Sequence, residues 1–125
     1  MSKPVYVPTV AEAALTVDRP TAWAALIALL EVGELADTTR RRLGAVPVVE
    51  SVISLEAPWR LVLDADTPPC TFHQETIVLV PDQRGCLAMW SALVLEPTDA
   101  TAAEYADAVA VEVPRRLADL VDRAT

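Results

Sequence analysis

The sequence predicts an α+β fold in which helices pack on one face of an antiparallel sheet. Three observations support it: an alternating segment near the start, a central series of strand-like segments separated by turn residues, and a long amphipathic pattern at the end. The chain has 125 residues, of which 53% are apolar and 22% are charged, a composition that suits one packed core. We therefore expect a single domain over residues 1–125.

A strand followed by a helix is predicted for the first third of the chain. Small and apolar residues alternate with others over Val10–Val17, as they do in a half-buried strand. Asp18-Arg19-Pro20 then combines an N-cap residue with a proline in the first turn, and apolar residues follow at helical spacing over Trp23–Leu30. Gly33 is expected to end this helix, and Glu34–Thr39 to form a second short one.

The middle of the chain has the pattern of strands. Turn residues separate five segments, of which all but the first, a run of three arginines and a leucine, are rich in apolar or β-branched residues. The predicted strands are Arg40–Leu43, Val48–Glu56, Trp59–Asp66, Thr71–Val80 and Cys86–Glu96.

A long helix is predicted from a capping box at Thr101–Glu104 to about Ala124. Its apolar residues recur at helical spacing: Tyr105, Val109, Val113, Leu117, Leu120 and Val121. Pro114 lies inside the helix. We expect a bend there, because the carbonyl of Ala110 loses its N–H partner.

The register of the last two strands follows from a hairpin loop at residues 82–85. Counting outward from the loop predicts the pairs Pro81 with Cys86, Ile77 with Trp90, Glu75 with Ala92, and His73 with Val94. Since side chains alternate between sheet faces, His73, Glu75 and Trp90 share one face. Cys70 and Cys86 fall at opposite ends of this hairpin, so we expect no disulfide between them.

The charge balance argues against nucleic acid as a partner. Acidic residues outnumber basic ones 18 to 10, and a net charge of -8 repels phosphate. Two cysteines and one histidine without CxxC or HxxxH spacing predict no metal site, and we expect no cofactor. The apolar stretch Trp23–Leu30 is too short to span a membrane, and no signal-peptide core is present, so a cytoplasmic protein is expected.

Several short motifs occur in an order that is similar to one known superfamily. They are Val17–Trp23, Val48–Val52, Pro58–Leu63, Val80–Asp82 with Gly85, and Met89–Ser91. On these motifs the chain resembles the START-like (SRPBCC) superfamily, and in particular the small bacterial polyketide cyclase/dehydrase group. The resemblance implies a helix-grip fold, in which a curved antiparallel sheet wraps around the long C-terminal helix and encloses an apolar ligand cavity. This chain is shorter than many members.

The resemblance places Trp90 on the inner face of the sheet, and His73 and Glu75 with it. In an apolar pocket, burial raises the pKa of a carboxyl group, so His73 and Glu75 are candidate catalytic acid/base residues. Glu50 matches the strand glutamate of the family and is the third candidate. The alternative is that His73 and Glu75 lie at a solvated sheet end, and that Glu50 makes a cross-strand charge pair.

Five apolar or aromatic residues are candidate substrate contacts. By general preference the aromatic ones belong to the core, but in a helix-grip fold they can also line the pocket. The candidates are Trp90, Trp59, Leu61, Leu63 and Tyr105.

Arg40, Arg41 and Arg42 form a short basic run. We interpret it as an exposed strand in an acidic protein. The alternative is that one arginine reaches inward to a carboxylate or carbonyl oxygen.

If Trp90 points inward, the outer face of the sheet is apolar. It would carry Val78, Val80, Leu87, Met89, Leu93, Leu95, Val49, Ile53, Leu55 and Val62. A two-fold homodimer is the simplest way to cover such a face. The competing interpretation exchanges inside and outside, which would put His73 and Glu75 on the surface.

The resemblance suggests an enzyme of natural-product (antibiotic) biosynthesis, a cyclase or dehydratase that acts on an apolar, polyketide-like molecule. Two other hypotheses stay open on the same fold. One is a non-catalytic binding protein for a small hydrophobic ligand. The other is an interaction module that uses the apolar sheet face.

Overall fold

The computed structural model describes residues 3–43, 46–65 and 72–125, and these form an α+β fold. The elements in chain order are β1 Tyr6–Leu15, α1 Arg19–Leu30, β2 Thr38–Leu43, β3 Val46–Glu56, β4 Arg60–Ala65, β5 His73–Asp82, β6 Gly85–Leu95 and α2 Ala100–Ala124. The predicted fold class is confirmed.

The strands form one antiparallel sheet in the order β1-β6-β5-β4-β3-β2. Consecutive strands from β2 to β6 are neighbours, and β1 adds to the far side of β6. The long helix α2 packs against β1, β6 and α1 on one face of the sheet. This is the helix-grip arrangement, and it gives the sheet an inner face, toward α2, and an outer face.

The start of α1 follows the predicted signals. The Asp18 carboxylate accepts a hydrogen bond from the Thr21 backbone N–H at 2.9 Å, and Pro20 occupies the first turn. The helix ends at Glu31, which has the left-handed φ of 56°, two residues before the expected Gly33.

The short second helix predicted over Glu34–Thr39 is wrong. The Asp37 carboxylate accepts hydrogen bonds from the backbone N–H groups of Gly33 at 2.7 Å and Glu34 at 2.9 Å, which closes a turn. Such side-chain bonds to the backbone compete with helix formation, and the chain enters β2 at Thr38.

The predicted β5–β6 register is confirmed throughout. Pro81 pairs with Cys86, Ile77 with Trp90, Glu75 with Ala92, and His73 with Val94. The inward-facing residues of both strands are buried: His73, Glu75, Ile77, Leu79, Cys86, Ala88, Trp90, Ala92 and Val94. Trp90 therefore points toward α2, and the interpretation with inside and outside exchanged is wrong. Cys86 is a free buried thiol, whereas Cys70 lies outside the described residues.

A β-bulge in β3 changes one predicted orientation. The pairing with β4 shifts between Val52 and Ser54, so Ser54 pairs with Val62 and Leu55 with Leu61. Leu55 consequently packs against the core instead of joining the outer face.

The helix α2 begins two residues earlier than predicted. Asp99 is its N-cap and accepts from the Ala102 N–H at 2.8 Å, so the capping box at Thr101 is wrong. The predicted apolar residues are buried except Val121, which is half-buried. The helix continues through Pro114, and the bend there stays a prediction. Among the described residues, no helix is long and apolar enough to cross a bilayer.

Candidate functional site

Three ionisable side chains lie buried on the inner face of the sheet. Glu50 on β3 and His73 and Glu75 on β5 are each 1% exposed or less. Burial of charged groups is costly unless partners satisfy them. Two arginines supply the opposite charge, Arg41 from β2 and Arg116 from α2.

Strand pairing brings these groups to one region of the sheet. Glu50 pairs with Ala65, and Ala65 pairs with His73, so these side chains lie at the same level two strands apart. Arg41 pairs with Val48, which is buried, so its side chain also points inward. Arg116 reaches the same cluster from α2, where its neighbours Val113, Leu117 and Leu120 are buried.

Four donors surround the Glu75 carboxylate. Its Oε1 accepts from Trp90 Nε1 at 2.8 Å and from Arg116 Nη1 at 3.0 Å. Its Oε2 lies 2.7 Å from His73 Nε2 and accepts from Arg41 Nη2. A carboxylate with charge-assisted bonds at both oxygens is strongly held in one position.

Glu50 contacts the same two arginines as Glu75, Arg41 and Arg116. Its Oε1 lies 3.0 Å from Arg41 Nε, its Oε2 accepts from Arg41 Nη2 at 3.2 Å, and Arg116 Nη1 lies 3.2 and 3.3 Å from its two oxygens. The Arg116 guanidinium also sits over the Trp90 ring, 5.0 Å from its centroid. Two positive and two negative side chains thus balance each other inside the protein.

The pKa of Glu75 shifts downward, opposite to the upward shift expected from the sequence. Burial by itself raises it, as predicted from the sequence. The hydrogen bond from His73 and the charges of Arg116 and Arg41 outweigh burial and hold the pKa of Glu75 well below its ordinary value of 4.5. Glu75 is therefore an ionised anchor at neutral pH rather than a group that exchanges protons.

Tyr105 on α2 completes a chain of hydrogen bonds through His73. The hydroxyl oxygen of Tyr105 lies 2.7 Å from His73 Nδ1, and His73 Nε2 lies 2.7 Å from Glu75 Oε2. Because the ionised Glu75 only accepts, Nε2 of a neutral His73 carries the proton. Nδ1 then accepts from the Tyr105 O–H. Hydrogen bonds are therefore donated in one direction, from Tyr105 to His73 and from His73 to Glu75.

Arg41 has one end without a hydrogen bond. Its Nη2 is bound to both carboxylates, but Nη1 is buried and has no hydrogen-bond partner among the described residues. The Nε lies close to Glu50 without hydrogen-bond geometry. The side chain is 13% exposed as a whole, but Nε and Nη1 are themselves buried.

The structure brings most of the predicted substrate contacts into the core, with one exception. Leu61, Leu63, Trp90 and Tyr105 are buried. Trp59 is 39% exposed because it lies in the turn between β3 and β4, and it does not join the site.

The basic run divides between the two faces of β2. Arg40 and Arg42 are exposed, as the surface interpretation required, but Arg41 points inward to the carboxylates. Strand alternation makes this difference, since Arg41 shares a face with the buried Leu43.

Sequence reasoning missed Arg116. A signal was present, because Arg116 follows Val113 by three residues and precedes Leu120 by four, which places it beside the apolar stripe of α2.

The ligand atoms of Glu50, His73 and Glu75 lie within 4.8 Å of one another, a spacing that a metal ion could bridge. Two guanidinium groups already neutralise both carboxylates. A cation would have to compete with them, so the contacts favour an ion-pair cluster over a metal centre.

A small pocket lies between β1, β6 and α2. Its volume is about 250 Å³, and it is lined by Val7, Thr9, Val94, Pro97, Ala106, Asp107 and Ala110. Val94 is the strand partner of His73, and Ala106 follows Tyr105, so the pocket lies beside the hydrogen-bonded chain. The larger apolar cavity expected from the resemblance stays a prediction.

Comparisons with known proteins identify the fold. No protein-family model and no curated protein sequence matches the chain. Among solved structures, protein MLL2253 from Mesorhizobium loti is 16% identical with a TM-score of 0.71, covering 94% of this chain and 96% of that one.

Two further structural neighbours have names that describe a synthase and a protein of a biosynthetic pathway. Truncated norcoclaurine synthase from Thalictrum flavum is 13% identical with a TM-score of 0.60, covering 99% of this chain and 94% of that one. The di-domain ARO/CYC StfQ of the steffimycin biosynthetic pathway is 12% identical with a TM-score of 0.63, covering 95% of this chain and 50% of that one. The chain therefore shares the helix-grip fold of these proteins.

Proposed function

We propose that this protein binds a compact apolar carbonyl compound between the sheet and α2, and moves a proton on it. This would make it a polyketide cyclase/dehydratase-like enzyme of natural-product biosynthesis. The observation that carries the proposal is the buried chain Tyr105–His73–Glu75, with 2.7 Å at each of its two links. A tyrosine, a histidine and a fixed carboxylate in series can relay a proton.

In the proposed step, the Tyr105 oxygen accepts a proton from the carbon next to a substrate carbonyl, while the Tyr105 proton moves to His73 Nδ1. The C–H electron pair passes into the carbonyl and leaves an enolate. The ionised Glu75 stabilises the resulting imidazolium. The enolate then attacks a second carbonyl and forms an alkoxide in a cyclisation, or expels a β-hydroxyl group. In either case Tyr105 gives its proton to the substrate oxygen and regains one from the imidazolium at Nδ1, so that the alkoxide becomes a hydroxyl group or the β-hydroxyl leaves as water. Glu50 acts at a distance, by positioning Arg41 and Arg116.

The unpartnered Nη1 of Arg41 supplies an anchor for the ligand. A buried guanidinium N–H without an acceptor is costly, so a ligand oxygen that accepts from it is favoured. Since two arginines and two glutamates already balance, a neutral carbonyl or hydroxyl oxygen fits better than a carboxylate.

The pocket beside Val94 fits an apolar ligand body. Its lining is mostly Val, Ala and Pro, and about 250 Å³ suits a compact molecule rather than a long chain. The ARO/CYC and synthase names of two structural neighbours support this reaction class by analogy of fold.

A second candidate function is non-catalytic binding of a small hydrophobic ligand. One observation favours it: His73 and Tyr105 are each 1% exposed or less, and neither is among the residues that line the described pocket. In that case the charged cluster is a structural element behind the pocket.

Deuterium exchange at the α-carbon of β-tetralone, an apolar bicyclic ketone, separates the two functions. An enzyme of the proposed class accelerates exchange in D2O, followed by proton NMR, and Tyr105→Phe lowers the acceleration by about 10²-fold. Saturable binding in ligand-observed NMR without accelerated exchange supports the binding protein. Absence of both contradicts both functions.

A matched pair of ligands tests Arg41. A phenolic β-tetralone, with a hydroxyl group on its aromatic ring, should bind more tightly than β-tetralone, and Arg41→Lys should remove this difference, because lysine cannot replace the guanidinium fork. The control is Arg42→Lys, an exposed neighbour on the opposite face of β2. Equal affinities of both ligands for the wild-type protein would exclude the anchor role.

A further inference from the structure

The outer face of the sheet leaves apolar side chains in water. Its most exposed apolar residues are spread over four strands: Tyr6, Val10, Val49, Ile53, Val80 and Leu93. Met89 and Val78 lie half-buried between them on the central strands. Monomeric proteins rarely leave this many apolar side chains exposed on one face of a sheet.

The charges on this face are nearly balanced, unlike those of the whole chain. Its described strand positions carry three arginines and four acids: Arg40, Arg42, Arg60, Glu12, Glu56, Asp64 and Asp82. The chain as a whole has a net charge of -8. Most of the acidic excess therefore lies elsewhere, including the exposed acids of α2. Two copies can approach through the outer face with little net repulsion between the facing surfaces.

The face is large enough for a stable contact. Six strands about 4.8 Å apart, each contributing about seven residues with a rise of about 3.3 Å, cover roughly 600 Å². Packing two such faces together buries on the order of 1,200 Å², at the lower end of specific protein interfaces.

We propose that two copies of this chain pack outer face to outer face around a two-fold axis. A two-fold contact uses the same surface on both subunits, so it needs a surface that is complementary to itself. An apolar face with nearly equal numbers of both charges meets that requirement. This assembly is independent of the proposed chemistry, because α2 and the buried cluster lie on the opposite side of the sheet.

Light scattering coupled to size exclusion, at micromolar concentration, tests the assembly. The wild-type protein should have twice the mass of the chain. Leu93→Asp, at a position that is 40% exposed in the subunit, should give a folded monomer, because assembly would bury an unpaired carboxylate from each subunit in an apolar contact. The matched control is Val111→Asp on α2, 56% exposed and far from the outer face, which should stay dimeric.

Circular dichroism verifies that Leu93→Asp is folded. If it unfolds, Val80→Asp, at 42% exposure, replaces it and is read in the same way. A monomeric wild-type protein overturns the proposal. It does so even if a different protein is found to cover this face. A folded Leu93→Asp or Val80→Asp variant that stays dimeric overturns it as well.

Discussion

Arg116 Nη1 donates to Glu75 Oε1 at 3.0 Å, across 41 positions of sequence. The contact joins the C-terminal helix to the centre of the sheet, and the same nitrogen also binds both oxygens of Glu50. The helix therefore adds both apolar packing and one of the two cations that pair with the buried carboxylates.

Replacing Arg116 should destabilise the fold. Arg116→Met keeps most of the side-chain volume but leaves two buried carboxylates with Arg41 alone. We expect a loss of about 3–5 kcal/mol in the free energy of unfolding, measured in urea. The control is the adjacent Arg115→Met: Arg115 is 64% exposed and pairs only with Glu112, so about 0.5 kcal/mol or less is expected. Equal losses for the two variants would show that the cluster contributes little.

The pH dependence of stability should contain a contribution from Glu75. Its pKa in the folded protein lies below the ordinary 4.5, so the unfolded chain takes up the proton first as the pH falls. The stabilisation is present above about pH 4.5 and is lost progressively toward lower pH. Between pH 4.5 and 3, the free energy of unfolding of the wild-type protein should fall more steeply than that of Glu75→Gln, by up to about 1.4 kcal/mol per pH unit.

Glu112→Gln is the control for this titration, because it removes a carboxylate that is paired at the helix surface. Its slope should stay close to that of the wild-type protein. A Glu75 carboxyl carbon that titrates in NMR near pH 4.5 in the folded protein would contradict the depressed pKa.

The tautomer of His73 can be observed directly. It is the only histidine of the chain, so its imidazole nitrogens are unambiguous in NMR. We expect neutral His73 to carry its proton on Nε2, because Nε2 faces the ionised Glu75 at 2.7 Å. The predominance of the Nδ1–H form in long-range nitrogen-15 correlation spectra would reverse the polarity of the chain to Tyr105, and with it the proposed direction of proton transfer.

Gly85 should not tolerate a side chain. Its φ of 153° lies in a region that other residues rarely adopt, and a Cβ would collide with the backbone oxygens of Leu15 and Val17. Gly85→Ala should lower the free energy of unfolding by about 1–3 kcal/mol or more. Gly33→Ala is the matched control, because its Cβ would meet only Asp37 Oδ2 at 3.9 Å. A change within about 0.5 kcal/mol for Gly85→Ala would contradict the assigned geometry.

Pro114 tests whether α2 needs a bend. The residue is exposed, and as a proline it cannot donate to the carbonyl of Ala110. Pro114→Ala restores the N–H and should stabilise the protein by about 1–3 kcal/mol if α2 packs equally well when straight. Destabilisation would mean that the bend helps to place Tyr105 and Leu117 against the sheet.

Local physical rules were sufficient for much of the fold and part of the site. The loop at residues 82–85 and the two-residue alternation of strands predicted the β5–β6 register, which placed His73 and Glu75 beside Trp90 on one face. The START-like resemblance, carried by short motifs, added that this face is the inner one. Both kinds of inference depend on residues close in sequence, where spacing determines geometry.

Two of the local predictions that were wrong concern the start of α2 and the orientation of Leu55. Asp99 caps α2 in place of Thr101, since either residue can accept from the first turn and the sequence does not rank them by geometry. The bulge at Val52 and Ser54 turned Leu55 toward the core, and a single extra residue of this kind leaves no clear mark in the hydrophobic pattern.

The sequence by itself determined which side chains of the β5–β6 hairpin face inward, and it marked Glu50, His73 and Glu75 as candidates. Only the tertiary structure decided which charged groups surround these side chains, and thereby the direction in which the pKa of Glu75 shifts. Arg41 and Arg116 come from an edge strand and from the last helix, 34 and 41 positions from Glu75. With the hydrogen bond from His73, their charges outweigh burial and lower the pKa of Glu75 instead of raising it. Electrostatic energy depends on distances through space, and sequence spacing does not encode those distances between elements so far apart.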